Sequence, residues 1–458
     1  MNPQIFREYD IRGIADRDLT DDVARAVGRA FAQMMAERGK RRIAVGRDVR
    51  LSSPRIRAAV VEGLRDQGAS VVDVGQVPTP TLYFAVLHLK ADAGVMITGS
   101  HNPIEYNGIK VSEGTSSLHG PEIQEIARRG ATAGVLEKRG VVEEVSVDEP
   151  YMADLSGRIR LAKPLKVVCD PGNGAASILG PRFLRAIGCE VDAMFAEPDG
   201  RFPNHLPDPT VPELMKPLCD RVRATKADVG IGFDGDADRV GAVDENGRMI
   251  FGDELLGLFA ADVLAKKPGG TVVFEVKCSQ GLVEWVKQKG GNPIMWKAGH
   301  SLIKAKMRET NAPLGGEMSG HMFFADEFYG YDDALYGAGR LLRILASAGR
   351  PLSALVQELP ESRYVSTPEL RLDCTDAAKF AIVDSVREHY RSRYDVLDVD
   401  GARVQFGDGW GLIRASNTQP VLVVRFEAKS RERLQEIARD VFDTLSRFPE
   451  VTIPALTV

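Results

Sequence analysis

Three times in this chain an apolar, β-rich run gives way to a loop crowded with reactive side chains, and this recurrence constrains the fold more than any other feature. The first series runs through Ile43-Ala44-Val45, Ser70 to Val74 and Ala93-Gly94-Val95-Met96-Ile97, and ends in Thr98-Gly99-Ser100-His101-Asn102-Pro103. The second runs through Leu165 to Cys169, Glu190 to Phe195 and Asp228 to Phe233, and delivers Asp234-Gly235-Asp236-Ala237-Asp238-Arg239. The third runs through Thr271 to Glu275 and Pro293-Ile294-Met295-Trp296, and leads to Gly315-Gly316-Glu317-Met318-Ser319-Gly320-His321. Helix signals lie between the strands. Thr20 precedes Asp21 and Asp22 and an apolar face of Val23, Val27, Phe31 and Met34, while Ser53-Pro54 opens a second helix that Gly68 closes. Repeated strand, helix, strand series predict three related α/β domains with mixed sheets and active loops at equivalent positions. The end of a strand is where an α/β sheet usually carries its chemistry.

From about Leu370 the pattern changes. A helix over Asp376 to Tyr390, strands around Gly407-Asp408-Gly409 and over Val421 to Glu427, and a helix over Ser430 to Leu445 predict a fourth, α+β domain. At roughly 150 residues per domain, 458 residues suggest three or four domains. The expected boundaries are 1–148, 149–248, 249–362 and 363–458. A net charge of -5 excludes a general nucleic-acid or membrane-surface binder, because it offers no basic excess to displace counterions. Five cysteines without CxxC spacing point to neither a disulfide framework nor a structural zinc site, and so to a reducing cytoplasm. No apolar run reaches membrane-spanning length.

Each loop suggests a chemistry. Asp234, Asp236 and Asp238 alternate, so on an extended chain their carboxylates share one side. Carboxylates this close repel unless a divalent cation sits among them, and all-oxygen ligation suits Mg²⁺ or Ca²⁺, with Mg²⁺ ahead because it typically takes few carboxylates plus a phosphate oxygen. An EF-hand is the rival, with Glu245 in its twelfth position. It fails because Arg239 occupies the sixth position, where the loop needs glycine, and because strands rather than helices flank it. Arg414-Ala415-Ser416-Asn417-Thr418 lies between two strands and offers donors suited to a phosphate dianion. Glu317 and Ser319 suit the vicinal hydroxyls of a sugar, and His321, on the same side of an extended loop, could move a proton. Ser100-His101 reads either as a polar turn or as a nucleophile pair. No dinucleotide fingerprint, nucleophile elbow or P-loop competes, since Ser177 breaks the first and Gly99 stands one residue, not two, before Ser100. A strand, Gly108 to Val111, rather than a helix follows the serine, so positive charge for a phosphoryl group there must come from elsewhere.

As a set, Tyr9-Asp10-Ile11-Arg12-Gly13, Thr98 to Pro103, Asp234 to Arg239, Gly316 to His321 and Arg414 to Thr418 resemble the motifs of the α-D-phosphohexomutases, in the same order and across essentially the whole chain. The resemblance implies four domains around a central cleft, with Ser100 carrying a phosphoryl group. It implies that Asp234, Asp236 and Asp238, with an oxygen of phosphorylated Ser100, hold Mg²⁺. Glu317 and Ser319, in the loop with Met318 and Gly320, would grip the sugar, and Arg414, Ser416, Asn417 and Thr418 would anchor the phosphate that does not react. Tyr9, Arg12, His101, Lys110, Arg239, Lys277 and His300 match other positions of the cleft, with Lys110 and His321 as proton carriers. Two positions are distinctive. Ala237 stands where many bacterial relatives have glycine, which matters only if that position needs positive φ. Met318 is similar to the branch acting on both glucose and mannose phosphates rather than on glucosamine phosphate.

The activity implied is a phosphohexomutase that interconverts hexose 1-phosphate and hexose 6-phosphate of glucose and mannose, with phosphoglucosamine mutase as the alternative. Phosphorylated Ser100 would give its phosphoryl group to a free hydroxyl and make a hexose 1,6-bisphosphate. The intermediate would turn end for end, and Ser100 would take back the other group. Glucose 1,6-bisphosphate is the expected activator. The expected partners are sugar phosphates, not nucleic acid or membrane, with the chain acting as a cytoplasmic monomer.

Overall fold

The structure, a computed structural model, describes residues 1–416 and 419–453, so Asn417 and Thr418 lie outside the described residues. The chain forms two compact units, Met1–Leu255 with Ser319–Leu355 and Leu256–Met318 with Val356–Val458.

The first unit holds two mixed sheets. In one, Arg42–Arg47 pairs in parallel with both Ser70–Gln76 and Ala93–Ile97, and Ala93–Ile97 pairs antiparallel with Tyr106–Glu113. In the other, Lys166–Asp170 pairs in parallel with Glu190–Ala193 and Val229–Phe233, and Val229–Phe233 pairs antiparallel with Val240–Asp244. The two sheets therefore repeat one topology. In both, the reactive loop joins the last parallel strand to its antiparallel neighbour, beside the point where successive connections leave in opposite directions.

The expected elements form for the expected reasons. Thr20 Oγ1 accepts from Val23 N and caps helix Asp21–Glu37, whose Val27, Phe31, Met34 and Met35 are buried. Each such side chain contributes roughly 1.5–3 kcal/mol. Helix Ser53–Asp66 carries Pro54 in its first turn. The strand expected to reach Phe195 stops at Ala193, because Phe195 takes φ +43 and leaves the β region.

The second unit carries a parallel set in which Thr271–Glu275 lies between Asn292–Trp296 and Leu314–Gly316. It also carries an antiparallel sheet in which Gly409–Ala415 pairs with Ala402–Gln405 and Val421–Ala428. Helices Lys379–Arg391 and Arg431–Leu445 cover that sheet through Val386, Tyr390, Ile437 and Val441. The first of these helices starts at Lys379 rather than Asp376. Residues 376–378 form a turn whose Asp376 carboxylate is taken by Lys379 Nζ at 2.6 Å. The guanidinium of Arg403 lies over Trp410 and donates to the carbonyls of Val276 and Cys278 (2.5 and 2.7 Å), tying the two sheets of this unit together.

Candidate active site

Ser100 stands on the turn that strand Ala93–Ile97 delivers, with φ +49 and its side chain buried. Its N–H donates to Thr98 Oγ1 at 2.8 Å. Arg50 gathers the turn, donating to the carbonyls of Ser100 (2.8 Å), Pro103 (2.7 Å), Tyr106 (3.0 Å) and Asn102. Asp48 accepts from Gly99 N (3.1 Å) and from Ser53 Oγ (2.5 Å). The serine is therefore held on a rigid frame.

Strand Val229–Phe233 delivers Asp234, Asp236 and Asp238, all buried. The loop is a turn, not the extended segment that the alternation suggests. Asp234 Oδ1 accepts from the N–H groups of Asp238 (3.1 Å) and Arg239 (3.2 Å) and folds the loop around its own carboxylate. Ala237 takes φ +62, so this position does need positive φ, at a cost of roughly 1–2 kcal/mol for a residue with a Cβ. The carboxylates converge nonetheless, with ligand oxygens within 4.8 Å of one another. The two loops also press together. A Cβ on Gly235 would lie 2.2 Å from the carbonyl oxygen of Ser100, so only glycine fits there.

Ser100 Oγ donates to Asp234 Oδ2 at 2.8 Å and lies 3.0 Å from His101 Nδ1. Burial, together with the guanidiniums of Arg239 and Arg12, pushes His101 well below the usual histidine range, so the ring is neutral. Lys110 Nζ donates to Asp236 Oδ2 (2.8 Å) and Asp238 Oδ2 (2.6 Å). Burial works against its charge, but the two carboxylates outweigh it and hold the ammonium well above its usual range. Asp236, though also buried, is pulled low by Lys110 and by the hydroxyl of Thr79 at 2.7 Å. Asp234 is pushed well up by burial and by the neighbouring charges of Asp238 and Asp236.

Lys110 and, 4.0 Å from Asp234, Arg239 are the cations beside these three buried carboxylates, and among the described residues Asp236 Oδ1 and Asp238 Oδ1 have no hydrogen-bond partner. Orphaned oxygens of this kind in an all-carboxylate set fit a small divalent cation.

Arg12 donates to Asn102 Oδ1 (3.2 Å) and pairs with Asp10. Arg239 Nε donates to His321 Nε2 (3.0 Å), and His321 Nδ1 lies 3.1 Å from Asp332 Oδ2, which assigns the Nδ1–H tautomer. The segment before His321 is not extended either. Gly320 takes φ +93 and its carbonyl accepts from Val240 N at 3.1 Å. The first unit thereby brings Ser100, His101, Lys110, Arg12, Arg239, His321 and the three aspartates into one chain of contacts. Tyr9 and Ser319 lie half-buried in adjoining segments.

The second unit gathers the remaining candidates. Glu317 Oε1 accepts from Gly299 N at 2.6 Å, one residue before His300 opens helix His300–Thr310. Arg414 Nε donates to Asp400 Oδ2 (3.1 Å), which also accepts from Ala298 N (3.0 Å). Lys277 Nζ donates to Glu369 Oε2 (2.9 Å) and lies 3.4 Å from Glu275 Oε2. The Lys277 ammonium holds the Glu369 carboxyl at about 2 despite burial. Ser416 Oγ accepts from Gln419 N (3.1 Å), and Lys379 Nζ donates to the carbonyls of Ser416 and Gln419.

Four models of the phosphoglucomutase/phosphomannomutase family match in order: α/β/α domain I over residues 3–134, domain II over 149–247, domain III over 251–363 and the C-terminal domain over 369–444. A phosphomannomutase/phosphoglucomutase from Pseudomonas putida is 46% identical over 453 residues, covering 98% of this chain and 97% of that protein. The chain belongs to the phosphoglucomutase/phosphomannomutase family. A phosphoglucomutase from Neisseria gonorrhoeae is 43% identical over 94% of this chain and 95% of its own length. A crystal structure of a phosphoglucomutase/phosphomannomutase family protein from Burkholderia thailandensis superposes with a TM-score of 0.93 at 44% identity, covering 99% of this chain and 100% of that one.

Several residues that contact the candidate site residues escaped motif reading. Asp48 and Arg50 follow strand Arg42–Arg47 just as the reactive loops follow theirs, and that position was their available signal. Thr79 and Glu369 carried none, because each becomes visible only through a partner distant in sequence, and Asp332 becomes visible only through its contact with the His321 ring.

Proposed function

We propose that this chain interconverts the 1-phosphates and 6-phosphates of glucose and mannose through phosphorylated Ser100 and a hexose 1,6-bisphosphate. The observation that carries the reading is the Ser100 hydroxyl, buried at 2.8 Å from Asp234 in a cluster of three carboxylates. His101 beside it is a poor base, because burial and the guanidiniums of Arg239 and Arg12 oppose its protonation, and its place suits contact with phosphate. Asp234, Asp236 and Asp238, with a phosphoryl oxygen on Ser100, would hold Mg²⁺, which when bound neutralises charge on the transferring group.

The protein's own groups supply the rest. Arg12, Lys110 and Arg239 offset charge on the phosphoryl oxygens. Lys110 keeps its proton while Asp236 and Asp238 hold it, so His321, oriented by Asp332 and Arg239, is the better-placed proton carrier. Glu317 and Ser319 grip the sugar hydroxyls, with Met318 and Gly320 shaping the loop. Arg414, Ser416, Asn417 and Thr418 anchor the phosphate that does not react, and Tyr9, Lys277 and His300 contact the substrate. Recognition through O3 and O4 leaves the C2 configuration unread and accounts for acceptance of both sugars. Five free cysteines suit a cytoplasmic monomer.

Turnover of glucose 1-phosphate, mannose 1-phosphate and glucosamine 1-phosphate, measured with Mg²⁺ and glucose 1,6-bisphosphate, tests the reading. The two neutral sugars should react at comparable rates. Strong preference for the amino sugar, or a phosphate increment in intact mass mapping anywhere but Ser100, overturns it.

A further inference from the structure

Glu275 ends the central strand of the second unit's parallel set and is fully buried, yet it has no part in the chemistry described above. Its Oε1 accepts from Met318 N at 3.0 Å, and its Oε2 has no hydrogen-bond partner among the described residues but lies 3.4 Å from Lys277 Nζ. One carboxylate therefore holds the backbone beside Glu317 and also places negative charge on an ammonium that would meet a phosphate.

We propose that Glu275 is a positioning residue of this family's sugar-phosphate-binding unit. It fixes the Glu317-Met318 backbone through the Met318 amide, and it opposes anion binding at Lys277 whenever it is ionised. The second part rests on the functional reading above; the first does not.

The charges around Glu275 make the arrangement sensitive. Lys277 faces it from the end of its own strand, Glu317 from the loop after Leu314–Gly316, Glu369 from the segment before strand Leu370–Asp373, and Arg414 from strand Gly409–Ala415. Arg425 adds contacts to the carbonyl of Lys277 and to the sulfur of Met318. Burial, only partly offset by Lys277, pushes the Glu275 carboxyl up to about 7. Arrival of a phosphate dianion at Lys277 raises the negative charge further and favours the protonated acid.

Two variants separate the roles. Glu275→Gln keeps an acceptor for the Met318 amide and removes the charge, whereas Glu275→Ala removes both. Amide hydrogen exchange over residues 314–320 should rise about five- to tenfold in Glu275→Ala, the fold-change one net hydrogen bond supplies, and stay at the wild-type rate in Glu275→Gln. The KM for glucose 1-phosphate should increase between pH 6 and pH 8 in the wild type, beyond the substrate's own titration, and this excess should vanish in Glu275→Gln with kcat retained. Wild-type exchange in Glu275→Ala, or identical KM profiles for wild type and Glu275→Gln, overturns the proposal. If the wild type turns over no hexose phosphate, the functional reading fails, while the exchange measurement still decides the positioning role.

Discussion

Ser100 Oγ donates a 2.8 Å hydrogen bond to Asp234 Oδ2, joining two loops whose residues stand 134 positions apart in the chain. The hydroxyl donates to a carboxylate although the His101 ring lies 3.0 Å away, and this choice of partner distinguishes the site from a Ser-His hydrolytic pair.

Replacing Ser100 by Ala should lower kcat by about 10³-fold or more, roughly 4 kcal/mol of barrier, and abolish the phosphate increment in intact mass. His101→Ala should cost far less, about tenfold or roughly 1.4 kcal/mol, because the Ser100 hydroxyl donates to Asp234 and burial with Arg239 and Arg12 makes His101 a poor proton acceptor. Steady-state kinetics on both variants checks this; equal and complete loss from both would restore a Ser-His nucleophile pair.

A chelator should abolish turnover, and Mg²⁺ should restore it. Because the cation would bind the folded site and not the unfolded chain, Mg²⁺ at about 100 times its Kd should stabilise the protein by about 2.7 kcal/mol. Asp238→Asn should remove most of that gain in a thermal unfolding experiment, whereas unchanged Mg²⁺ stabilisation in this variant would argue against the aspartate cluster as the site.

Ala237 pays steric strain at φ +62 that glycine would not. Ala237→Gly should therefore raise stability by about 0.5–1 kcal/mol, and Ala237→Val should lower both stability and activity. Denaturant midpoints for the two variants should move in opposite directions.

Asp333 caps helix Ala334–Ala348, accepts from the Tyr151 hydroxyl at 2.7 Å, and is pushed up to about 7 by burial. Its folded value lies above its unfolded one, so the folded state binds the extra proton between about pH 4 and pH 7, and stability contributed by this group falls as pH rises through that window. Asp333→Asn should flatten the loss. Melting temperatures of the wild type and the variant, measured across the same window, should converge at the acid end.

Much of this molecule is legible from its order of residues, and the boundary of legibility is physical. Apolar runs such as Ala93 to Ile97 announce buried strands because every residue of such a strand is covered, and Thr20 announces a helix because its hydroxyl must satisfy an orphan amide. The same reasoning misjudged the shape of the reactive loops. Alternation of Asp234, Asp236 and Asp238 suggests an extended segment, but positive φ at Ala237 and two amides donating to Asp234 bring the carboxylates together by turning the chain. Ser319 and His321 share a side only on paper, because Gly320 bends between them. The work of Arg50 and Asp332 was hidden for a different reason, since it lies in partners 50 or more residues away for Arg50 and in the orientation of one imidazole for Asp332.

The contact between Gly235 and the Ser100 carbonyl also bears on the order of events during synthesis. At about 5–20 residues per second, the serine leaves the ribosome roughly 7–27 s before the aspartates that receive its hydroxyl. Throughout that interval the nascent turn lacks its carboxylate neighbours, so the contact between Ser100 and Asp234 arrives late, with the second sheet rather than with the first.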